Sequence, residues 1–571
     1  MRLNTSRVLI SLGSYISGYI PLCIKDATLI DPACGSGNFL TETYLSLRKL
    51  ENEVLSLRLG GQIALGFGEL NPIKVSIGQF YGIEINDFAA TVAKTALWIA
   101  ESQMMKQTED IVHMNLDFLP LKSYVNIIEG NALRVDWETV VPKAELSYIM
   151  GNPPFVGHQY RSAEQTSDMD FVFADFGNYG KLDYVASWYK KSIDYMNSSR
   201  IKAALVSTNS IVQGESVATM WEPLFNKCGL DILFAHRTFR WDSEANNKAH
   251  VHCVIIGFSA YKSSQQKLIY QQGKQFNADN INGYLIDAPN VFIQNRSAAL
   301  NKSMPKMSKG SQPTDGGNLI LSSDDRTAFL AKYPSSDMFI KRYISADDYI
   351  NNKKRYCLWL KGVSPKDYRS MPEIISRLEA VREMRLKSPT KSVQRDASTP
   401  TLFTQIRQPD TDYLVVPEVS SERRKYVPIG FMSPDVIVSN MLYVISNASL
   451  YMFGIMISNV HMAWMRVVCG RLKSDYRYTP AVYNNFPWPA PTDAQKAKIE
   501  QTAQAILDAR ALYPDCSLAD LYDEVTMPPE LRKAHQQNDR AVMEAYGMPI
   551  KGTTEATCVA ELMRRYQELT K

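Results

Sequence analysis

Cysteine is scarce in this chain, and none of it is spaced to hold a metal. The eight residues Cys23, Cys34, Cys228, Cys253, Cys357, Cys469, Cys516 and Cys558 form no CxxC pair and no Cys/His cluster at zinc spacing. They read as reduced thiols of a cytoplasmic protein. A run of about 18 apolar residues is also missing, which excludes a spanning helix and gives no reason to expect a membrane partner. The start, with Arg2 and Arg7 before an apolar stretch at 8–12, lacks a small-residue cleavage site and reads as an amphipathic first helix rather than a signal peptide. There is no marked excess of one charge: 63 Lys plus Arg face 59 Asp plus Glu, a net charge of +4, so any nucleic-acid surface must be local. Internal repeats and low-complexity tracts are absent too, which excludes solenoids and disordered arrays.

What is present is ordinary for a folded soluble protein: 45% hydrophobic, 21% charged and 10% aromatic residues. At about 100–200 residues per domain, the length implies about three units. Up to about residue 290, short apolar runs alternate with longer helical patterns, predicting strands at 27–30, 79–84, 125–129, 146–150, 203–207, 232–237 and 251–258. That alternation predicts an α/β fold with a doubly wound, mostly parallel, Rossmann-like sheet, whose ligands sit at the C-terminal strand ends. The stretch 301–318 is rich in Ser, Lys, Pro and Gly and marks a boundary. The expected organisation is a catalytic domain at 1–300, a mixed α+β domain at 301–490 and a helical segment at 491–571, with helices at 494–513 and 529–546.

Three predicted strand ends carry ligand chemistry. The first runs through Asp31-Pro32-Ala33-Cys34-Gly35-Ser36-Gly37 into a helix starting near Phe39. Gly35 and Gly37 remove side chains where a ligand would approach the backbone, and Asp31 and Ala33 stand at the strand tip. A dinucleotide fingerprint needs a third glycine at position 40, where Leu40 stands, so a pyrophosphate is not expected over this turn. The second strand ends in Glu84, a carboxylate able to accept both hydroxyls of a ribose. The third closes at Asn131, whose amide can hydrogen-bond an adenine edge. In strand order, the trio suits the methionine part, ribose and base of S-adenosylmethionine.

A fourth strand leads into Gly151-Asn152-Pro153-Pro154-Phe155. Two prolines forbid helix and hold the Asn152 side chain and the Pro153 carbonyl in fixed directions. Both are acceptors, suited to the two hydrogens of an exocyclic amine, and Phe155 offers a face for a flipped-out base. Direct methyl transfer needs positioning and electrostatics rather than a nucleophile or a metal. Chemistry at cytosine C5 would need a Cys, typically after Pro, and no Pro-Cys pair occurs. Cytosine N4 stays open as an alternative, being an exocyclic amine as well. The segment Ser207-Thr208-Asn209-Ser210 is expected to shape the pocket wall. Phe239 is expected to cover the other face of the base, and Trp241 to pack in the core.

These motifs resemble those of adenine-N6 DNA methyltransferases. Over nearly its whole length the chain is similar to the MmeI-like (Type IIL) restriction–modification family, through Asp315–Ile320, Ser420–Phe431, His461–Arg466, Cys469–Tyr478 and Asn484–Pro489. The resemblance implies a class I methyltransferase sheet, a target recognition domain and a C-terminal helical segment, with S-adenosylmethionine as donor and adenine in double-stranded DNA as acceptor. It assigns cofactor roles to Asp31, Gly35, Gly37, Glu84 and Asn131, and amine binding to Asn152, Pro153 and Phe155. In the recognition region Arg423, Arg424, Lys425, Arg471, Lys473 and Arg477 are the expected DNA contacts, since Arg reads guanine and Lys holds phosphate.

Two departures from the family stand out. Its members carry a nuclease and a helical connector before the methyltransferase, whereas about thirty residues precede Asp31, and no Asp or Glu is followed by Lys two positions later. Cleavage by this chain alone is therefore not expected. The family's upstream cofactor-contacting motif also has no counterpart in residues 1–25. Two alternatives follow: a DNA-binding remnant that needs a partner chain, such as a separate nuclease or N-terminal subunit, and a methyltransferase acting on a protein glutamine amide. The second leaves the region from 320 to 490 without a role.

Overall fold

A computed structural model describes residues 25–59, 73–113, 116, 126–241, 251–472 and 474–571, in two compact units, Met1–Phe292 and Ile293–Lys571. The predicted first helix at the N-terminus lies outside the described residues.

The first unit holds a nine-stranded sheet: β1 (Leu29–Asp31), β2 (Phe80–Glu84), β3 (Asn126–Glu129), β4 (Tyr148–Gly151), β5 (Lys202–Thr208), β6 (Asp231–Trp241), β7 (Val251–Ser259), β8 (Lys267–Gln271) and β9 (Lys274–Ala278). Its order is β3-β2-β1-β4-β5-β7-β6-β8-β9. The first five strands in that order are parallel, in the registers Asp31↔Gly82, Glu84↔Glu129 and Gly151↔Leu205. All seven predicted strands of this region form within a residue or two, apart from β6, which runs on to Trp241. β8 and β9 were not predicted; they are short, and Lys274–Phe276 is exposed.

The chain leaves β1 toward β2 and returns to β4 on the other side of β1. The order therefore reverses at β1, and a crevice opens between the ends of β1 and β4, the place where open α/β sheets bind ligands. Helices α1 (Asn38–Leu59) and α2 (Asp87–Val112) cover this half of one face, where Leu40, Tyr44, Phe80, Ala93 and Leu97 share one core. The helix α3 (Ala163–Val172) follows the β4 loop, and α4 (Ala186–Met196) and α5 (Glu215–Cys228) come next. On these last two helices, Tyr189 stacks on Phe258 of β7 at 5.3 Å and meets Trp221 edge-on at 5.6 Å.

The second unit has no βα alternation, as its sequence suggests. Strands β10 (Met307–Lys309), β11 (Ile320–Ser322), β12 (Ile340–Ile344), β13 (Arg355–Leu358), β14 (Tyr413–Pro417), β15 (Val419–Ser420), β16 (Gly430–Met432), β17 (Val436–Val438), β18 (Leu442–Ser446), β19 (Gly470–Leu472) and β20 (Asp475–Arg477) form three small sheets. β10 lies inside the stretch read as a break: its pairing with β18, Met307↔Ile445, joins residues far apart in sequence, which local composition does not register. Two of the later helices, Asp493–Ala511 and Pro529–Ala545, match the predicted ones closely, and Glu555–Thr570 is a further one.

Candidate active site

The turn after β1 explains its own residues. Gly35 and Gly37 sit at φ +54° and +81°, left-handed values at which a side chain is strained. A Cβ on Gly37 would lie 2.8 Å from that of Ala93, so the turn packs directly on α2. A Cβ on Gly35 would meet nothing within 4 Å, so that side faces open space. Glu84 fixes the turn from the next strand: Gly35 N–H donates to Oε2 at 2.8 Å and Asn86 N–H to Oε1 at 3.0 Å. Each carboxylate oxygen keeps a lone pair for a further donor.

Asp31 is fully buried and accepts from Ala33 N–H at 3.0 Å. Burial, reinforced by the charge of Glu84 and opposed by that hydrogen bond, raises its carboxyl to about 7. Gly151, its neighbour on β4, has no room for more: a Cβ there would stand 2.5 Å from Asp31 Oδ1. Gly151→Ala should therefore displace the carboxylate and cost about 1–3 kcal/mol of stability, with a loss of ligand affinity measurable by calorimetry.

The β1–β4 crevice opens into a cavity of about 950 Å3 lined by Ala33, Glu84, Asn131, Asn152, Asp168 and Trp188, among others. That is the size of a small-molecule or cofactor site. Trp188 donates to the Pro32 carbonyl at 3.0 Å, holding the wall against the glycine turn. Asn131 stands at the expected strand end with its carboxamide already engaged: Oδ1 accepts from Leu133 N–H at 3.0 Å and Nδ2 donates to Asp168 at 2.9 Å. Asp168, on α3, and its further donors Arg134 and Tyr184 went unnoticed in the sequence. One acid among three on a short helix, 37 residues from its partner, carries no spacing signal.

Asn152 follows β4 directly, and its Oδ1 is buried without a hydrogen-bond partner. Buried acceptors are ordinarily paired, and leaving one unpaired costs about 1–3 kcal/mol. Past the prolines, Phe155 packs with Phe39, Phe239 and Trp241 against Val206, Cys253 and Ile255. The two aromatics expected on either side of a base thus share one apolar cluster, in which Phe239 and Trp241 lie 6.0 Å apart. The loop beyond Phe155 is tied down by Asp183, which accepts from His158 N–H at 3.1 Å and from the Ser210 hydroxyl. Ser210 in turn shares a hydrogen bond with Thr208 at 2.9 Å. The segment 207–210 therefore braces this loop through Asp183, a residue sequence reasoning missed.

In the second unit, the sheet β15-β20-β19 joins two basic stretches about fifty residues apart, pairing Val419 with Arg477 and Arg471 with Tyr476. Arg423 and Lys425 are exposed and Arg424 is half-buried. Arg471 and Arg477 are paired within the unit, Arg477 while staying exposed: Arg471 bonds Glu422 at 3.0 Å, and Arg477 bonds the buried Glu418 at 3.1 Å, opposite Lys309 at 3.0 Å. Lys473 lies outside the described residues. The tyrosines alternating with these cations are buried; Tyr426 donates to Asp539 at 2.7 Å, and Tyr478 shares a hydrogen bond with His461 at 2.9 Å.

Among the described residues no group of three or more His, Cys, Asp or Glu could hold a metal, and no helix is long and apolar enough to cross a membrane.

A parallel sheet that reverses at β1, a glycine turn held by the acid of the next strand, and Asn-Pro-Pro-Phe after β4 define a methyltransferase fold. Comparison with known proteins gives the family: the MmeI DNA-methyltransferase domain matches residues 22–271, the MmeI target recognition domain 287–490 and the MmeI C-terminal domain 491–571. The chain belongs to the MmeI family of restriction–modification proteins. The structure of the Type IIL restriction-modification enzyme MmeI in complex with DNA is 44% identical, covers 96% of this chain and 73% of that one, and superposes with a TM-score of 0.83. DNA methyltransferase A of Bacillus subtilis (strain 168) is 39% identical over 545 residues. That match takes in 95% of this chain but 61% of the relative's length.

Proposed function

We propose that this chain transfers a methyl group from S-adenosylmethionine to the N6 amine of adenine in double-stranded DNA, on a base turned out of the helix. The observation that carries the reading is the unpartnered, buried Oδ1 of Asn152 beside a cofactor-sized cavity. A preorganised acceptor without a partner is what an incoming N–H donor requires. When bound, the cofactor supplies an electrophilic methyl on a sulfonium sulfur. Asn152 Oδ1 and the Pro153 carbonyl accept the two amine hydrogens, which leaves the nitrogen lone pair free of its ring. Pro153 and Pro154 keep both acceptors from turning away, and Phe155 with Phe239 gives the base an apolar place to stack. Glu84 has lone pairs for the ribose hydroxyls, and the open side of Gly35 admits the rest of the cofactor. Arg423, Arg424, Lys425, Arg471, Lys473 and Arg477 are assigned to the DNA, the exposed Arg423 and Lys425 to phosphate.

The test is methylation of DNA by the purified chain with labelled S-adenosylmethionine, followed by digestion to nucleosides. Labelled N6-methyladenine is expected. N4-methylcytosine would overturn the base assignment, and no transfer to any DNA would overturn the activity.

Asp31 adds a pH dependence. With its carboxyl near 7, the neutral form prevails below that value in the folded chain. Its contribution to stability is therefore fully present below the ordinary carboxylate range and is lost as pH rises through 7. A cationic ligand favours the ionised form, so S-adenosylmethionine affinity should rise between pH 6 and 8 by up to about tenfold. The rise should vanish in Asp31→Asn, as measured by titration calorimetry.

A further inference from the structure

Asn131 and Asp168 are held in a way that the site's positioning of a ligand alone does not require. The Asn131 carboxamide is oriented at both ends, Oδ1 by Leu133 N–H at 3.0 Å and Nδ2 by Asp168 Oδ2 at 2.9 Å. Asp168 Oδ2 also accepts from the Tyr184 hydroxyl at 2.8 Å, and its Oδ1 accepts from Arg134 Nε at 2.6 Å. Arg134 is itself fixed, donating to Ser167 at 2.9 Å and lying 4.7 Å above the Phe171 ring.

The donor and acceptor count leaves a remainder. A primary carboxamide has two N–H groups, and Asn131 spends one. A carboxylate has about four lone-pair sites, and Asp168 fills three, so the free one is on Oδ1. One N–H and one anionic acceptor site therefore remain on two residues that are hydrogen-bonded to each other and both line the cavity.

Adenine offers the matching pair on its Watson–Crick edge: N1 accepts and the N6 amine donates. Hypoxanthine reverses it, with O6 accepting and N1–H donating. Resting on the S-adenosylmethionine reading above, we propose that Asn131 and Asp168 together read the adenine of the cofactor, with Asp168 as the specificity-determining carboxylate. A deaminated base would set its O6 against the carboxylate of Asp168, which is itself buried. Burial raises the Asp168 carboxyl, but its hydrogen bonds from Asn131, Arg134 and Tyr184 outweigh burial and hold it below the usual range. The acceptor is thus anionic at neutral pH.

The test is binding to the full chain, followed by intrinsic tryptophan fluorescence or calorimetry, of S-adenosylhomocysteine and its deaminated counterpart S-inosylhomocysteine. The wild type should prefer the adenosyl form by about 100-fold or more, since sites built to hydrogen-bond a ligand group reject analogues that leave buried partners unpaired. Asp168→Asn presents N–H where an acceptor stood; it should bind the adenosyl form about 10–100-fold more weakly and the two forms within about fivefold of each other. A thermal melt establishes that the variant folds. If it does not, Asn131→Ala removes the other half of the pair, and its preference should fall below about tenfold. Equal binding of both forms by the wild type, or an undiminished preference in a folded variant, would overturn the proposal while leaving the cofactor reading intact. Failure of the wild type to bind either form would overturn the cofactor reading, and the proposal with it.

Discussion

Asn152→Ala should reduce methyl transfer by about 100–1000-fold, the usual loss when one preorganised polar group at a reacting centre is removed. It should leave S-adenosylhomocysteine binding within about twofold of wild type, because the cofactor groups named above lie on other strand ends. Stability should go the other way. The side chain's Oδ1 is buried without a partner, a cost of about 1–3 kcal/mol that alanine removes. The variant should therefore melt at or above the wild-type temperature while losing activity, as expected where a site holds a polar group ready for its substrate. Asn152→Asp keeps an acceptor and should retain more activity than the alanine variant. Single-turnover transfer and a melting curve on the same preparations decide the matter: a variant that melts lower and also transfers normally would show Asn152 to be a structural turn residue.

The contrast between Asn152 and Asp168 shows what sequence can carry. Asn152 was legible because two prolines after a predicted strand dictate an extended corner and leave few roles for the side chain before them. Asp31, Gly35, Gly37 and Glu84 were legible because strand, tight turn and helix follow one another within a few residues. The parallel strands were legible for a similar reason, since each is a short apolar run that closes on, or leads straight into, a polar residue. Asp168, Tyr184, Trp188 and Asp183 act through the spatial return of one segment on another. Nothing within a few residues of any of them distinguishes it from a surface acid or a core aromatic.

The recognition region was legible in a different way. Its basic runs are visible as composition, and β15 and β20 do bring them together. Composition could not separate Arg423 and Lys425 from Arg477, which is also exposed but whose guanidinium offsets the buried carboxylate of Glu418. That partition depends on Glu418 and Lys309, one of them 109 residues from the other. The tyrosines illustrate the same limit: alternating with cations in sequence, they are buried, Tyr426 against Asp539 and Tyr478 against His461, partners distant in sequence for the first and on another element for the second.

Arg385→Met should be the most damaging change in the second unit, costing on the order of 4–5 kcal/mol. The guanidinium is fully buried, and its donors all go to backbone carbonyls. Nε bonds Thr314 at 2.9 Å, Nη1 bonds Asp396 and Thr399 at 3.0 Å, and Nη2 bonds Pro313 and Leu402 at 2.8 Å. None of these bonds goes to a carboxylate. Burial lowers the pKa of the group, and the nearby charges of Asp396 and Asp315 oppose that shift. Its role is geometric: a planar fork fastens 313–314 to 396–402, a loop and a short 3-10 turn with its following loop, neither of which has strand pairing at those positions. Methionine fills much of the volume but leaves the carbonyls without their donors. Lysine has three donors, cannot span the same five acceptors, and should recover less than half of the loss. Urea unfolding of the second unit measures the total, and hydrogen exchange locates it: amides at 314–319 and 396–405 should lose protection before those of β14. Removal of the exposed Arg564, which makes two ion pairs, should change neither measurement, because Glu561 keeps Arg565 as a partner and Glu568 is solvated. Uniform loss of protection across the unit, rather than loss beginning at these two loops, would contradict the role assigned to Arg385.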